Sequence, residues 1–216
     1  MVDKPGVKYK KGTGRGMSLF VEGIVLAAGY SSRTGMFKMG LPVNGKAIIK
    51  HVIDAMITVC DVIYIVTGHW KDELETLLKD YAGEIFRDQI YFVENEQYQD
   101  GMFSSVKKGV SALKGNTFFL TPGDYPFLTG DIFNHMLKVP GSIIIPNYKG
   151  RKGHPVFFKE FDKQLILDEP DSSNLRNCIQ KQHPVYFETD SDAILIDMDT
   201  MEDYERIMKM TMKERV

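Results

Sequence analysis

The sequence is poor in the features that mark secreted, thiolate-bound or membrane-embedded proteins. Its 216 residues include two cysteines, Cys60 and Cys178, in apolar surroundings and without C-x-x-C spacing. That argues against a disulfide framework or a thiolate metal site and predicts buried, reduced thiols. No stretch approaches the roughly 18 apolar residues of a membrane-spanning helix, and the first residues lack the apolar segment of a signal peptide. A cytoplasmic protein with no membrane partner is expected. The five histidines show no pairwise ligand spacing, which argues against zinc. A formal net charge of -2 gives no excess of one sign to indicate a nucleic-acid partner. Charged residues at 26% and hydrophobic residues at 43% are near globular averages, so disorder is not indicated either.

The chain is long enough for one full domain with a substantial core. Residues 1–20 read as a flexible basic extension and residues 21–216 as a single domain. Met1 to Gly16 carries five Lys or Arg against one acid, with four Gly and a Pro, and has no periodic apolar pattern. Its Gly12-Thr13-Gly14-Arg15-Gly16 is no dinucleotide fingerprint, because no strand precedes it.

The regular pattern begins with Ile24 to Leu41. A short uncharged apolar run breaks at Gly29 into small and polar residues and then delivers two cations, Arg33 and Lys38. This predicts a buried strand feeding an exposed loop in which backbone N–H groups and both cations hold a polyanion, with Gly35 supplying dihedrals barred to other residues. Strand and helix patterns then alternate. An amphipathic helix is predicted over Lys46 to Val59 with His51 on its polar side, then strands over Val62 to Val66, Ile90 to Val93 and Thr117 to Thr121. Helices on Leu74, Leu77, Leu78 and Tyr81 and on Met102, Val106, Val110 and Leu113 separate them. The later half predicts strands over Ser142 to Pro146, His154 to Phe158, Val185 to Glu188 and Ala193 to Asp197, and helices over Ile132 to Leu137, Ser172 to Gln180 and Met201 to Met210. The expected fold is a three-layer α/β domain with a mainly parallel sheet.

Ligands of such sheets bind beyond the carboxyl ends of the strands, which collects Gly29 to Lys38, Thr67-Gly68-His69, Glu94-Asn95 and Pro122-Gly123-Asp124 into one crevice. Asp124, at a strand terminus beside the phosphate loop, suits a divalent ion shared with phosphate oxygens; its competing role is the N-cap of the next helix. In Asp197-Met198-Asp199-Thr200, alternation on a strand end turns one of the two carboxylates toward the crevice, while Asp199 or Thr200 is also a candidate cap. Gly29 to Gly35 lacks the Lys-Ser or Lys-Thr of a Walker A loop, and Gly29-Tyr30-Ser31-Ser32-Arg33 lacks the second Gly of a nucleophile elbow.

Leu26-Ala27-Ala28-Gly29 followed by Ser31-Ser32-Arg33, Gly35 and Lys38 resembles the LAAGxSSRxGxxK signature of MobA-like nucleotidyltransferases, in particular the molybdenum cofactor cytidylyltransferases. The likeness continues through Gly101-Met102-Phe103-Ser104-Ser105-Val106, Pro122-Gly123-Asp124-Tyr125-Pro126, Gly153-His154-Pro155-Val156-Phe157 and Asp197 to Tyr204. It implies a Rossmann-like nucleotidyltransferase fold and transfer of CMP from CTP to a molybdopterin-type phosphate acceptor with release of pyrophosphate. Carried onto this chain, Leu26, Ala27, Ala28, Gly29 and Ser32 would border the nucleotide, with Asn95 and Ser104 by its base or ribose. Arg33 and Lys38 would hold the triphosphate, Asp124 with Asp197 or Asp199 would bind Mg²⁺, and His154 would face the acceptor. A molybdenum hydroxylase is the implied partner for the product. Guanylyl relatives have Gly where this chain has Ala28, whose methyl would crowd a purine, which favours CTP. Many cytidylyl members carry a Gly-Asp-Arg-Gly-like loop where this chain has Asp168 to Arg176. Transfer to a sugar or alditol phosphate and a non-catalytic cofactor-delivery role are the competing readings.

Overall fold

The first apolar run becomes β1 (Glu22–Leu26), buried along its whole length. The structure is a computed structural model that describes residues 19–30, 35–86 and 88–213. The expected basic extension, Ser31, Ser32 and Arg33 thus fall outside the described residues apart from Leu19 and Phe20. β1 pairs in parallel with β4 (Val62–Thr67) on one side and β6 (Phe118–Pro122) on the other, and β4 pairs in parallel with β5 (Ile90–Glu94). β7 (Ile143–Tyr148) and β10 (Val185–Glu188) form a further parallel pair. β9 (Val156–Phe158) runs antiparallel between β6 and β7, giving the order β10-β7-β9-β6-β1-β4-β5, and the short β8 (Arg151–Lys152) pairs with β7 alone.

Alternation along β1 divides the core into two layers. Val25 faces α1 (Ile48–Ile57) and α4 (Gly130–Met136) through Ile49, Ile53, Phe133 and Met136. Ile24 and Leu26 face α3 (Met102–Ala112) through Phe103, Val106 and Val110. α2 (Lys71–Leu77) buries Leu74 on the α1 side. α5 (Gln164–Leu167) and α6 (Leu175–Gln180) bury Ile166, Cys178 and Ile179 on the α3 side. α7 (Met201–Lys213) closes the chain, with Thr200 and Asp203 exchanging side-chain-to-backbone hydrogen bonds of 3.2 and 2.9 Å at its start. Both cysteines are buried and free.

Two stacked pairs fix the register of β9. Phe118 stacks on Phe158 at 4.6 Å and Phe119 on Phe157 at 4.2 Å, and all four rings are fully buried. Each such pair adds about 0.5–1.5 kcal/mol beyond its burial. Because β9 is antiparallel, its beginning lies at the edge where the parallel strands end, and His154 is delivered there.

Two expectations are corrected. α1 starts at Ile48 because Lys46–Ala47 (β3) pairs with Pro42–Val43 (β2), turned by Asn44 and Gly45 at φ 51° and 79°. Asn-Gly is a strong two-residue hairpin signal, and here it outweighs the helical spacing. His51 is half-buried and bonds the Val43 carbonyl oxygen at 2.8 Å. Ala193 to Asp197 is not a strand: Asp192–Leu195 is a 3₁₀ turn capped by Ser191, whose hydroxyl accepts from Ala193 N–H at 3.3 Å. Its backbone is used elsewhere, since the Ile194 carbonyl accepts from His154 N–H at 3.0 Å. A methyl on Gly153 would lie 2.2 Å from that same oxygen, so only glycine permits the approach.

Candidate active site

β1 and β6 end in register, Leu26 opposite Pro122, so the segments after them leave the sheet side by side. Gly123 N–H donates to the Leu26 carbonyl at 3.0 Å, and Ala27 N–H to that of Val66 at 2.9 Å. Asp124 follows at once and is 7% exposed. It caps nothing, because α4 begins only at Gly130 after Thr129.

Lys38 reaches this carboxylate from a helical turn over Lys38–Gly40 that is anchored by buried Met39. Its Nζ donates to Asp124 Oδ2 at 2.6 Å, to the Met198 carbonyl at 3.0 Å and to Asp199 Oδ1 at 3.2 Å. Burial opposes the lysine's charge, but Asp124 and then Asp199 outweigh it and raise its pKa. Burial is also the leading influence on Asp124, whose pKa rises despite Lys38. Burial and then the nearby Asp124 raise Asp197 as well. Asp197 and Asp199 thus both lie within electrostatic reach of Asp124. The segment is not a strand, so the alternation expected of Asp197 and Asp199 does not apply to it.

Four buried side-chain atoms among the described residues lack a hydrogen-bond partner: Thr67 Oγ1, Trp70 Nε1, Asp124 Oδ1 and His154 Nδ1. Thr67 ends β4, Trp70 follows it, Asp124 follows β6 and His154 precedes β9, so all four gather at one edge of the sheet. Orphaned buried polar atoms are costly and uncommon, and their clustering marks where a polar ligand would repay them.

The same edge opens into a cleft of about 700 Å³. Its floor is one face of the sheet, with Leu26, Leu120, Pro122, Val156 and Ile145, and its walls are Phe103 and Val106 of α3 and Leu175 and Ile179 of α6. His154 lines it and packs edge-on to Tyr125, with ring centroids 5.0 Å apart. Burial depresses the His154 pKa to about 4, so the ring is neutral at neutral pH. Burial also pushes the Tyr125 hydroxyl upward, helped by Asp197 and Asp124.

Of the anticipated residues, the structure brings together Lys38, Asp124, Asp197 and Asp199, with Leu26, Ala27, Ala28 and His154 adjoining them. Gly29 is exposed, and Gly35 holds the left-handed φ of 62°. Ala28 is 3% exposed and its methyl sits in the core, so crowding of a purine by that methyl has no support in its placement. Its carbonyl accepts from His69 N–H at 3.3 Å. Asn95 and Ser104 meet each other instead of the crevice. Asn95 Nδ2 donates to Ser104 Oγ at 2.9 Å and Ser105 Oγ at 3.0 Å, and its Oδ1 accepts from Gln97 N–H at 3.1 Å. They border a separate cavity of about 280 Å³ near Lys107 and Lys108. Arg33 and Ser32 lie outside the described residues. Sequence reasoning missed Lys152, Arg176 and Tyr186, which line the cleft from β8, α6 and β10; no motif joins them, and their shared place depends on sheet order.

For a divalent cation the donor set is all oxygen: Asp124 with its orphaned Oδ1, Asp197, Asp199 and the Met198 carbonyl. No group of three or more His, Cys, Asp or Glu among the described residues is placed to hold a metal unaided. One or two carboxylates completed by phosphate oxygens and water is the pattern Mg²⁺ prefers, and the residues fit it.

Residues 23–185 match the MobA-like NTP transferase domain. The chain belongs to this family. This MobA-like nucleotidyltransferase is 32% identical over 197 residues to the molybdenum cofactor cytidylyltransferase of Escherichia coli (strain K12), covering 90% of this chain and 96% of that one. Its fold is similar to that of a nucleotidyl transferase from Methanothermobacter thermautotroptrophicus, at a TM-score of 0.75 and 20% identity over 91% of this chain and 100% of the other. It is also similar to CTP:phosphocholine cytidylyltransferase from Streptococcus pneumoniae, at a TM-score of 0.66 and 16% identity, covering 89% and 99% of the two chains. No helix among the described residues of this MobA-like enzyme is long and apolar enough to cross a membrane.

Proposed function

We propose that this nucleotidyltransferase moves CMP from CTP to the terminal phosphate of molybdenum-bound molybdopterin, giving a cytosine dinucleotide cofactor and pyrophosphate. The observation that carries the reading is the junction of two unlike compartments at one sheet edge, a lysine-carboxylate centre and a large apolar cleft, in a chain alike over nearly its whole length to a molybdenum cofactor cytidylyltransferase.

A phosphate oxygen of the acceptor forms the new bond to the α-phosphorus of CTP, and the bond from that phosphorus to the bridging oxygen of pyrophosphate breaks. Such chemistry needs positioning and charge neutralisation more than covalent help. Asp124 with Asp197 or Asp199 would hold Mg²⁺, which supplies charge neutralisation on the triphosphate. Lys38 carries three N–H donors that can pass from carboxylate to phosphate oxygens, and Arg33 would add a second cation. The apolar floor and walls exclude water around the acceptor, which strengthens each charge interaction and limits hydrolysis of CTP. Neutral His154 offers the acceptor a hydrogen-bonding edge without a second positive charge. A molybdenum hydroxylase would receive the product.

Pyrophosphate release is measured with CTP, GTP, ATP and UTP and Mg²⁺, each with and without molybdenum-loaded molybdopterin. Release that requires both CTP and the pterin is the expected outcome. Release with GTP alone, or equal release with a simple alditol phosphate, would sink the assignment.

A further inference from the structure

The far end of the cleft differs from its floor. Lys152 of β8 and Tyr186 of β10 line it from the sheet, and Arg176 lines it from α6. Lys152 Nζ donates to the Tyr186 hydroxyl at 2.6 Å and lies 4.0 Å from the centre of its ring. Arg176 is exposed and makes no hydrogen bond or ion pair with any described residue. Among the described residues no carboxylate lines the cleft, so two cations stand at its far end without a lining acid to neutralise them. Elsewhere lysines near α6 are paired: Lys181 with Glu169 at 2.8 Å and Lys107 with Asp171 at 2.5 Å. Arg176, in the same neighbourhood, has no such partner among the described residues.

Sheet order converts this into a length. Tyr186 sits opposite Ile145 on β10, which lies three strands from β6 through β9 and β7. With neighbouring strands about 4.8 Å apart, the Tyr186 backbone lies about 14 Å across the sheet from the strand that leads into Asp124, and the Lys152 ammonium extends to its ring and hydroxyl. A short phosphate ester whose phosphate sits at Asp124 cannot span that distance. A molecule with a flat or apolar body against Leu120, Val156 and Ile145 and an electron-rich group at its far end can.

We propose that Lys152, Arg176 and Tyr186 form an acceptor-recognition end that binds a second, non-reacting anionic group of a long phosphate acceptor whose flat body lies over the apolar floor. This rests on the reading of the cleft as the acceptor site. Arg176 contributes a planar fork of donors and Lys152 a point charge, while the Tyr186 hydroxyl hands its hydrogen-bond partner to the ligand as the ligand enters. The specificity of the enzyme then lies in a pair of cations far from the reacting atoms. An acceptor lacking the distal group leaves them unpaired.

The test is anaerobic titration calorimetry of the full chain with molybdenum-loaded molybdopterin and, separately, with CTP, for the wild type and for Arg176→Ala, Lys152→Ala and Arg176→Lys. Each alanine variant should weaken pterin binding about ten-fold, the scale of losing one charge-assisted hydrogen bond, with CTP affinity unchanged and partial recovery in Arg176→Lys. Unchanged pterin affinity in both alanine variants overturns the inference, and so does a parallel loss of CTP affinity, which would mean a structural role. If the wild type binds the pterin through these cations but transfers no CMP to it, the proposed function falls and the recognition end stands. If the wild type transfers CMP while the variants bind normally, the recognition end falls alone. No pterin binding by the wild type overturns both.

Discussion

The two compartments at the strand ends treat charge in opposite ways. Around Lys38 the ammonium is paired within the protein, by contacts of 2.6 to 3.2 Å, and what is left over is carboxylate, with Asp124 Oδ1 lacking a partner among the described residues. At the far end of the cleft, among the described residues, Arg176 has no hydrogen-bond or ion-pair partner and Lys152 hydrogen-bonds the phenol of Tyr186. A reacting centre needs its groups held in place before the substrate arrives, and mutual pairing holds them at low cost in lost rotamer freedom. A recognition end works by a different rule: leaving its donors unpaired makes the correct ligand the best available partner.

Three measurements press on that contrast. The largest effect is expected from Asp124→Asn, which keeps shape and removes charge. Transfer should fall about 10³-fold, with circular dichroism unchanged, if this carboxylate orders the reacting charges. A near-normal rate would break the distinction between a centre and a recognition end. Second is the pH dependence carried by His154, which stands between the compartments. The unfolded chain binds a proton near the ordinary value of 6.5, whereas the buried ring resists it until about 4. The stability this contributes is therefore present above pH 6.5 and lost as pH falls toward 4, up to about 3 kcal/mol. His154→Gln should flatten the fall in Tm over that window, and an unchanged slope would mean that the ring is not held neutral by burial. The smallest effect belongs to Asn174→Ala. The Asn174 side chain accepts from Asn177 N–H at 2.9 Å and caps α6, the helix that carries Arg176. Losing the cap should cost about 1 kcal/mol. It should raise the acceptor KM a few-fold with the CTP KM unmoved; equal rises in both would blur the two compartments into one.

Much of the fold is legible in the chain because its central strands are buried on both faces. Ile24 to Ala28, Val62 to Val66 and Phe118 to Thr121 have uninterrupted apolar character for that reason. Asp124 and Lys38 are legible because each follows a recognisable break after such a run. Asn44-Gly45 announced a hairpin that helical spacing concealed. Ala193 to Asp197 misled because its apolar residues are a plug beneath Gly153 and His154, and a plug and a strand share a composition. Glu22 is fully buried and unforeseeable, since its partners, Lys114 and Gly115 N–H at 2.9 and 2.6 Å and the Tyr64 hydroxyl at 3.2 Å, come from distant segments. Asn95 and Ser104 stand where polar residues after a strand often meet ligand, yet they are consumed in tying that turn to α3. The cleft cations were invisible for the opposite reason, because only the meeting of β8, β10 and α6 makes them neighbours.

The bond between Lys38 and Asp124 also sets how the centre meets ions from solution. The ammonium is a counter-ion on a tether, so under the proposed function a divalent cation would reach these carboxylates by exchange instead of by simple addition. Unlike a free counter-ion, the displaced one cannot diffuse away. It would stay within a side chain's length of a triphosphate arriving with the metal, and the group that guards the carboxylates beforehand would be the group left facing phosphate oxygens afterwards.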